Sequence, residues 1–169
     1  YRDYHEMLEK EGAQLDAVAI ATPNHHHATA AILAMSMGLH VYVEKPCAFC
    51  PEEGEIILKT QKATGKVFQM GNQRRASLTY KKVLDYLKET DAAGDLRWAK
   101  CWYMADRASI GKGKKINVPE WLDWELWQGP APRQDLLSNV VHYNWHWFRN
   151  WGTAEMGNNA PHFADIARW

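Results

Sequence analysis

One stretch decides the fold: His40-Val41-Tyr42-Val43-Glu44-Lys45-Pro46 is a β-branched and aromatic run that stops at an acid, a base and a proline. Valine and tyrosine favour an extended backbone, and Pro46 disfavours a helical conformation at Lys45. We therefore predict a strand that ends at Lys45. Ligands of open α/β sheets bind at the carboxyl ends of the strands, so this ammonium is expected to face a binding crevice. The alternative is that Glu44 and Lys45 are solvated neighbours at the start of a loop.

Helices and further strands alternate on both sides of this stretch. Compact apolar runs at 16–22 and 66–70 predict two more strands, and the first is apolar on both faces, as in a buried parallel sheet. The spacing of apolar residues predicts helices at 4–10, 26–37 and 51–64. Strand, helix, strand, helix, strand with short connections predicts an α/β fold around a parallel sheet.

Polar residues follow each of the three predicted strands. The clusters are Thr22-Pro23-Asn24, Glu44-Lys45-Pro46 and Gly71-Asn72-Gln73-Arg74-Arg75. Because the carboxyl ends of parallel strands share one edge of a sheet, we expect the three clusters to converge there. That convergence favours a functional role for Lys45 over a solvated loop position.

The second half of the chain holds the nine tryptophans. Periodicity predicts a helix at 78–89 and a strand at 95–104, followed by a loop at 106–118. The lysines of that loop could bind phosphate, but a short mixed run is more typical of a solvated loop. The indoles of 121–127 stand at three-residue steps. We expect most of them to pack the interior and a minority to be able to stack on a sugar face.

A last helix is predicted to begin near Pro161, because proline suits the first turn of a helix. His162 then lies in that first turn. The helix dipole disfavours a protonated imidazole there and lowers its pKa, which suits a general base near neutral pH.

Composition excludes several classes of partner. Lys plus Arg and Asp plus Glu number 20 each, so the formal net charge is zero and no broad attraction to nucleic acid or an anionic membrane is expected. No apolar run approaches the roughly twenty residues of a spanning helix. We predict a soluble protein with a small-molecule ligand, in either the cytoplasm or the periplasm. The odd number of cysteines, three, does not suggest a secreted disulfide framework.

Two other motifs admit a functional interpretation. His25-His26-His27 could form a metal cluster, but consecutive residues at a helix start point in different directions and rarely converge on one ion. Cys47-Ala48-Phe49-Cys50 has the spacing of a redox motif, which is a weak signal when it stands alone. We expect both cysteines to fill space beneath the following helix.

Several of these stretches together resemble one protein family. They are Ala21-Thr22-Pro23-Asn24 with His27, the run from Gly38 to Pro46, Gly71 to Arg75, Trp124 to Pro132, and Gly157 with His162-Phe163-Ala164-Asp165-Ile166-Ala167-Arg168-Trp169. Over almost its whole length the chain resembles the Gfo/Idh/MocA oxidoreductases, a family that includes glucose–fructose oxidoreductase and inositol dehydrogenases.

The resemblance implies a function and a set of site residues. It implies hydride transfer between NAD or NADP and a secondary hydroxyl of a sugar or polyol, in an enzyme that forms homo-oligomers through the sheet of its second domain. In members of the family the catalytic group consists of the lysine of Glu-Lys-Pro, a histidine, and an aspartate four residues before that histidine. The catalytic residues implied here are Lys45, His162 and Asn158, which replaces the aspartate and cannot accept a proton. The other implied residues are Thr22, Pro23, Asn24, His27, Glu44, Lys45 and Pro46 for the cofactor, with Arg74 and Asp165 for the substrate; Asp165 could instead orient the His162 ring or cap local backbone.

The resemblance also indicates what is missing. Family members begin with a strand and a Gly-x-Gly-x-x-Gly turn that binds the cofactor pyrophosphate, and residues 1–169 contain no such turn. We therefore expect an internal piece of a larger protein, with a partial Rossmann domain at 1–73 and a partial α+β substrate domain at 74–169. This piece alone is expected to bind dinucleotide weakly and to be inactive. The alternatives for the whole protein are a catalytically silent binding or structural member, or an enzyme that uses bound NAD for epimerisation or glycoside cleavage.

Overall fold

The computed structural model describes residues 1–169 and contains seven α-helices and three β-strands. The elements in chain order are α1 (Tyr4–Glu11), β1 (Ala17–Ile20), α2 (Asn24–Ser36), β2 (His40–Glu44), α3 (Pro51–Thr64), β3 (Phe68–Gly71), α4 (Leu78–Thr90), α5 (Trp124–Trp127), α6 (Ala154–Asn158) and α7 (Ala160–Arg168). Short 3₁₀ turns occupy Gly12–Gln14, Gln73–Ala76 and Asn144–Trp147. The predicted alternation of helices and strands in the first half is confirmed.

The three strands form one parallel sheet in the order β1-β2-β3. Ile20 pairs with Val43, and Val43 pairs with Met70, so the strands run in register and end at the same edge. The α/β fold with a parallel sheet is therefore confirmed. This register places the residues after β1, β2 and β3 side by side.

One face of the sheet is covered and the other is open. Val41 and Val43 lie in a cluster of eleven buried apolar residues that also includes Ala31 of α2 and Ile57 of α3. Tyr42, between the two valines, is 40% exposed. The expectation of a sheet buried on both faces is wrong for this chain, because α2 and α3 pack against each other on the same side.

A second, smaller cluster of buried apolar side chains lies in the tryptophan-rich half. Its members are Trp124, Ala131, Leu136, Val140 and Trp151, and the rings of Trp124 and Trp127 stack at a centroid distance of 4.9 Å. The prediction that most of the indoles at 121–127 pack the interior holds for Trp124, which is 8% exposed, but not for Trp121, which is 60% exposed. The division of the chain into domains at residues 73 and 74 stays a prediction.

The strand predicted at 95–104 is absent. Residues 95–110 belong to no helix or strand, and Leu96, Trp98 and Met104 are each more than three-quarters exposed. A strand exists only where a neighbour supplies ladder hydrogen bonds, and no backbone–backbone hydrogen bond joins residues 95–110 to another segment. The single bridge in the second half joins Lys115 and Leu137.

None of the helices combines the length and the apolar character needed to cross a bilayer.

Candidate active site

The carboxyl edge of the sheet carries a cavity of about 190 Å³. Two of the three strand ends contribute to its wall, and the opposite wall comes from the second half of the chain. The lining residues are Thr22, Asn24, His27, Glu44, Lys45, Tyr143, Trp145, His146 and Asn158. The expected convergence is therefore found for the residues after β1 and β2.

Lys45 is held by Asn158 at the end of α6. Its Nζ donates to the backbone oxygen of Asn158 at 2.7 Å and to the side-chain Oδ1 at 2.8 Å. Burial lowers the pKa of Lys45, and the charges of Glu44 and Glu155 oppose that shift. A lysine with two neutral oxygen partners keeps one N–H for a ligand, because an ammonium has three donors.

Close packing brings α6 to the Glu-Lys-Pro turn. A side-chain carbon at Gly157 would overlap the side chain of Thr153 and would stand 3.1 Å from Cγ of Pro46. Only glycine lets the residue before Asn158 approach the turn this closely. This explains physically why a glycine precedes the residue that binds Lys45.

His162 is the third residue of α7, as the sequence predicts for a first-turn position. Its Nδ1 lies 3.0 Å from Oδ1 of Asn72, the residue that follows β3. Burial lowers the pKa of His162, and the positive charges of Lys45 and Arg74 lower it further. The imidazole is therefore held in the neutral form that a general base requires.

Lys45 and His162 lie at the same edge of the sheet but are not in direct hydrogen-bond contact. Asn158, which accepts from Lys45, ends α6 four residues before His162 in the chain. His162 itself is absent from the wall of the 190 Å³ cavity. The catalytic roles of Lys45, His162 and Asn158 stay a prediction.

The residues expected around the cofactor bond to one another through backbone oxygens. Nδ1 of His27 lies 2.7 Å from the carbonyl oxygen of Pro46, and Nε2 lies 2.7 Å from that of Thr22. Both nitrogens of His27 are thus occupied by the protein. Nδ2 of Asn24 donates to Oγ1 of Thr153 at 3.2 Å, which ties the start of α2 to the loop before α6.

Asp165 and Arg74 have partners within the protein. Both carboxylate oxygens of Asp165 accept from the guanidinium of Arg75 at 2.7 Å, and this bond lowers the pKa of Asp165. Arg74 donates to the hydroxyl of Tyr80 at 2.8 Å and lies 4.6 Å from the ring centre of Phe163. The idea that Asp165 orients the ring of His162 is wrong, because Asn72 occupies that position.

The first two histidines of the triplet connect α2 to the second half of the chain. Nε2 of His25 and Nε2 of His26 lie 2.8 and 2.9 Å from the backbone oxygen of Trp127. Burial lowers the pKa of His25 to about 4 and also lowers that of His26. A carbonyl oxygen only accepts, so both rings carry their proton on Nε2.

The two cysteines of the Cys-x-x-Cys stretch are half-buried and free. Cys47 packs against the main apolar cluster, and burial raises the pKa of its thiol. Cys50 precedes the first turn of α3. The space-filling interpretation fits Cys47, since a raised pKa reduces the thiolate fraction that redox chemistry requires.

Sequence reasoning missed three residues of the cavity wall: Tyr143, Trp145 and His146. Nδ1 of His146 donates to the backbone oxygen of Tyr143 at 2.6 Å, and its Nε2 is buried without a partner. The aromatic run that ends at Trp151 was a signal for this wall. That signal is weak, because nothing in the local pattern tells a ring in a core from a ring at a ligand.

The residues present fit the nicotinamide end of a dinucleotide. The cavity is smaller than the roughly 300–1,000 Å³ of a whole ligand site, and two polar atoms at this edge, Nδ2 of Asn72 and Nε2 of His146, are buried without a partner. Thr22, Asn24 and Glu44 would hold this end, and Lys45 lines the same cavity. No glycine-rich turn for the phosphates occurs in residues 1–169.

Comparisons with known proteins agree with the resemblance. Residues 1–72 match the sequence model of an oxidoreductase family with an NAD-binding Rossmann fold. A 4-carboxy-2-hydroxymuconate-6-semialdehyde dehydrogenase from Sphingobium sp. is 28% identical over 136 residues, which are 80% of this chain and 42% of that protein. A scyllo-inositol 2-dehydrogenase (NADP(+)) from Bacillus subtilis is 28% identical over 118 residues, 70% of this chain and 35% of that protein.

A solved structure gives the same result for the fold. The inositol dehydrogenase homolog from Azotobacter vinelandii, complexed with NADH and myo-inositol, shares 28% identity and has a TM-score of 0.51. The match covers 54% of this chain and 25% of that one. The chain thus spans less than half the length of each of these relatives. The matched family model agrees with the predicted nicotinamide dinucleotide cofactor, and residues 1–72 are similar to the NAD-binding domain of the Gfo/Idh/MocA oxidoreductases.

Proposed function

We propose that the protein carrying this sequence is an NAD(P)-dependent oxidoreductase that transfers a hydride between the cofactor and a secondary hydroxyl of a sugar, polyol or related compound. One observation carries the proposal. Nζ of Lys45 stands in the cavity at the carboxyl edge of the sheet, held at 2.7 and 2.8 Å by Asn158, with a neutral His162 four residues beyond. The names of the relatives, which include inositol dehydrogenases, support the same substrate class.

Lys45 and His162 have different roles at the substrate hydroxyl group. The remaining N–H of Lys45 donates to the substrate oxygen and stabilises the negative charge that develops there as the carbon loses its hydride. Nε2 of His162 takes the hydroxyl proton, because the ring already carries a proton on Nδ1. A bound nicotinamide supplies the acceptor for the hydride.

Asn158 places Lys45 and takes no part in the proton transfer. An amide oxygen accepts a hydrogen bond but not a proton at neutral pH. Its two oxygens fix the ammonium in the cavity without neutralising its charge. The positive charge therefore stays available for the substrate oxygen.

Asn158 also favours a second candidate, a member of the family that binds dinucleotide without turnover. A site with an amide in place of the family's aspartate has one proton acceptor fewer. The two candidates differ in whether His162, as the only proton acceptor, is sufficient for turnover.

Turnover tests the proposal. The protein carrying this sequence is mixed with NAD or NADP and a panel of inositols, hexoses and sugar acids, and the nicotinamide absorbance is followed. We expect reduction of the cofactor with at least one polyol. Dinucleotide binding without absorbance change across the panel would support the silent candidate. Residues 1–169 alone are expected to bind NADH weakly, because they contain no glycine-rich phosphate turn, and nanomolar affinity would contradict this expectation.

A further inference from the structure

Asn72 has a side chain with a single polar partner in the protein. It follows β3 directly, and its backbone N–H donates to the oxygen of Met70 at 3.0 Å, which fixes the main chain there. The residue precedes the 3₁₀ turn Gln73–Ala76, yet its side chain makes no capping hydrogen bond to that turn. The usual structural reason for an asparagine at a helix start is therefore absent.

The partner of Asn72 is the ring of His162. Oδ1 of Asn72 lies 3.0 Å from Nδ1 of His162, whereas Nδ2 is buried with no partner at all. An amide oxygen only accepts, so the contact requires a proton on Nδ1 and leaves the lone pair of the neutral ring on Nε2. The buried amide N–H₂ group does not stabilise the fold through a hydrogen bond, because it has no partner.

We propose that Asn72 is a positioning residue for His162: it fixes the Nδ1–H tautomer and the ring orientation, so that Nε2 is the proton acceptor. This inference rests on the proposed function for its catalytic meaning, but the tautomer itself is independent of it. Asn72 takes the place that a carboxylate has in a Ser-His-Asp triad, where the carboxylate accepts from Nδ1–H of the histidine base. Here the acceptor is a neutral amide oxygen.

The charged groups around His162 do not replace Asn72. Lys45 after β2 and Arg74 in the turn after β3 disfavour a proton on the ring, whereas Glu44 and Asp165 favour it. Both oxygens of Asp165 are bound to Arg75, so this carboxylate is not free to orient the ring. A neutral acceptor directs the proton to Nδ1 without stabilising the imidazolium as a carboxylate would.

The tautomer is measured by two-bond ¹H–¹⁵N correlation spectra of the ¹⁵N-histidine-labelled protein above pH 7.5, with the His162 signals assigned from their loss in His162→Gln. We expect the Nδ1–H form in the wild type and in Asn72→Asp, which keeps an acceptor oxygen in place. Asn72→Ala is expected to change His162 to the Nε2–H form that imidazole prefers in water. Gln69→Ala, at an amide of β3 with an exposed side chain three residues before Asn72, is the matched control and is expected to leave the spectrum unchanged.

Either of two spectra would overturn the inference: an Nε2–H ring in the wild type, or an Nδ1–H ring that survives Asn72→Ala. If Asn72→Ala does not fold, Asn72→Leu with a similar volume supplies the same comparison, since it also lacks an acceptor.

A kinetic measurement links the tautomer to catalysis. With a polyol that the wild type oxidises, Asn72→Ala is expected to lower kcat by about 10- to 100-fold with KM changed by less than about threefold, as for loss of an outer hydrogen-bond partner. Asn72→Asp is expected to recover most of kcat with its pH inflection moved upward, because a carboxylate stabilises the imidazolium. An unchanged kcat in Asn72→Ala would contradict the positioning role. Absence of turnover in the wild type would instead contradict the proposed function, while the spectra would still decide the role of Asn72.

Discussion

Two regions of the chain differ in how they are held together. They are residues 1–73, which we call the sheet region, and residues 74–169, which we call the tryptophan region. In the sheet region every strand finds its neighbour within the chain, and eleven buried apolar residues form one cluster. In the tryptophan region the buried cluster has five residues, the helices after α4 are short, and residues 95–110 belong to no helix or strand. The residue pattern therefore predicts the helices and strands of the sheet region correctly, whereas in the tryptophan region it predicts a strand at 95–104 that does not form.

The candidate site belongs to both regions. Lys45 comes from the sheet region and its two acceptor oxygens come from Asn158, while His162 is oriented by Asn72 across the same boundary. The sheet supplies a fixed edge, and the tryptophan region supplies Asn158, which holds the lysine, and His162, the proposed proton acceptor. Substitutions on each side of the boundary test this difference.

The largest effect is expected from Lys45→Ala. Loss of the only ammonium in the cavity should lower turnover by roughly 10²- to 10³-fold, as for removal of one preorganised donor to a developing oxyanion. Cofactor affinity should change by less than about fivefold. Steady-state kinetics and a fluorescence titration with NADH measure the two quantities, and Lys62→Ala on the exposed side of α3 is the control. Equal losses in turnover and affinity would assign Lys45 to cofactor binding.

The contact between the regions at Trp127 should make stability depend on pH. Unfolded His25 titrates near its ordinary pKa of 6.5, but the folded chain keeps the pKa of His25 at about 4. The unfolded state thus binds more protons between these values, so stability is complete above pH 6.5 and falls as the pH drops toward 4. The loss should be on the order of 3 kcal/mol, since one pKa unit corresponds to about 1.4 kcal/mol.

Urea unfolding at a series of pH values measures this dependence. His25→Phe keeps a ring in place without a titrating group and should remove most of the slope between pH 6.5 and 4. His142→Phe, at an exposed site of the tryptophan region, should keep it. If the free energy of unfolding changes with pH equally in His25→Phe and the wild type, a group other than His25 is responsible for the pH dependence.

Two glycine substitutions contrast the regions directly. A side-chain carbon at Gly152 would overlap the backbone of His146, whereas at Gly54, inside α3, it would meet nothing within 4 Å. Gly152→Ala should lower the free energy of unfolding by roughly 1–3 kcal/mol. Gly54→Ala should raise it by roughly 0.5–1 kcal/mol, since alanine is the better helix former. Denaturant midpoints would show the opposite signs, and a stabilising Gly152→Ala would contradict the close approach to His146.

The smallest effect concerns the charge of Arg74. This charge lowers the pKa of His162, so Arg74→Gln should raise that pKa by less than about one unit. Under the proposed function, polyol oxidation needs the neutral ring, so turnover should rise with pH through the pKa of His162, which is lowered from its ordinary value of 6.5. The inflection should move upward in Arg74→Gln and stay in place in Lys82→Gln on the exposed face of α4. A pH–rate profile of kcat/KM measures the shift.

Much of the sheet region could be read from sequence because its information is local. The helix Pro51–Thr64 was predicted to the residue, since proline, early acids and Gly65 with its positive φ mark both ends. The open face of the sheet was not predicted, because an apolar strand does not show which helices will cover it. The strand at 95–104 was predicted from a pattern that needs a pairing partner, which no periodicity reveals.

By itself the sequence determined the parallel sheet, the position of Lys45 at the end of β2 and the first-turn position of His162, because strand endings and helix starts are set by neighbouring residues. Only the tertiary structure decided which groups meet: Lys45 with Asn158, His162 with Asn72, Asp165 with Arg75, and His25 and His26 with one carbonyl of Trp127. Contacts between residues that are 90 or more positions apart depend on how packed elements lie in space. That arrangement is a property of the whole fold, and no stretch of the chain encodes it alone.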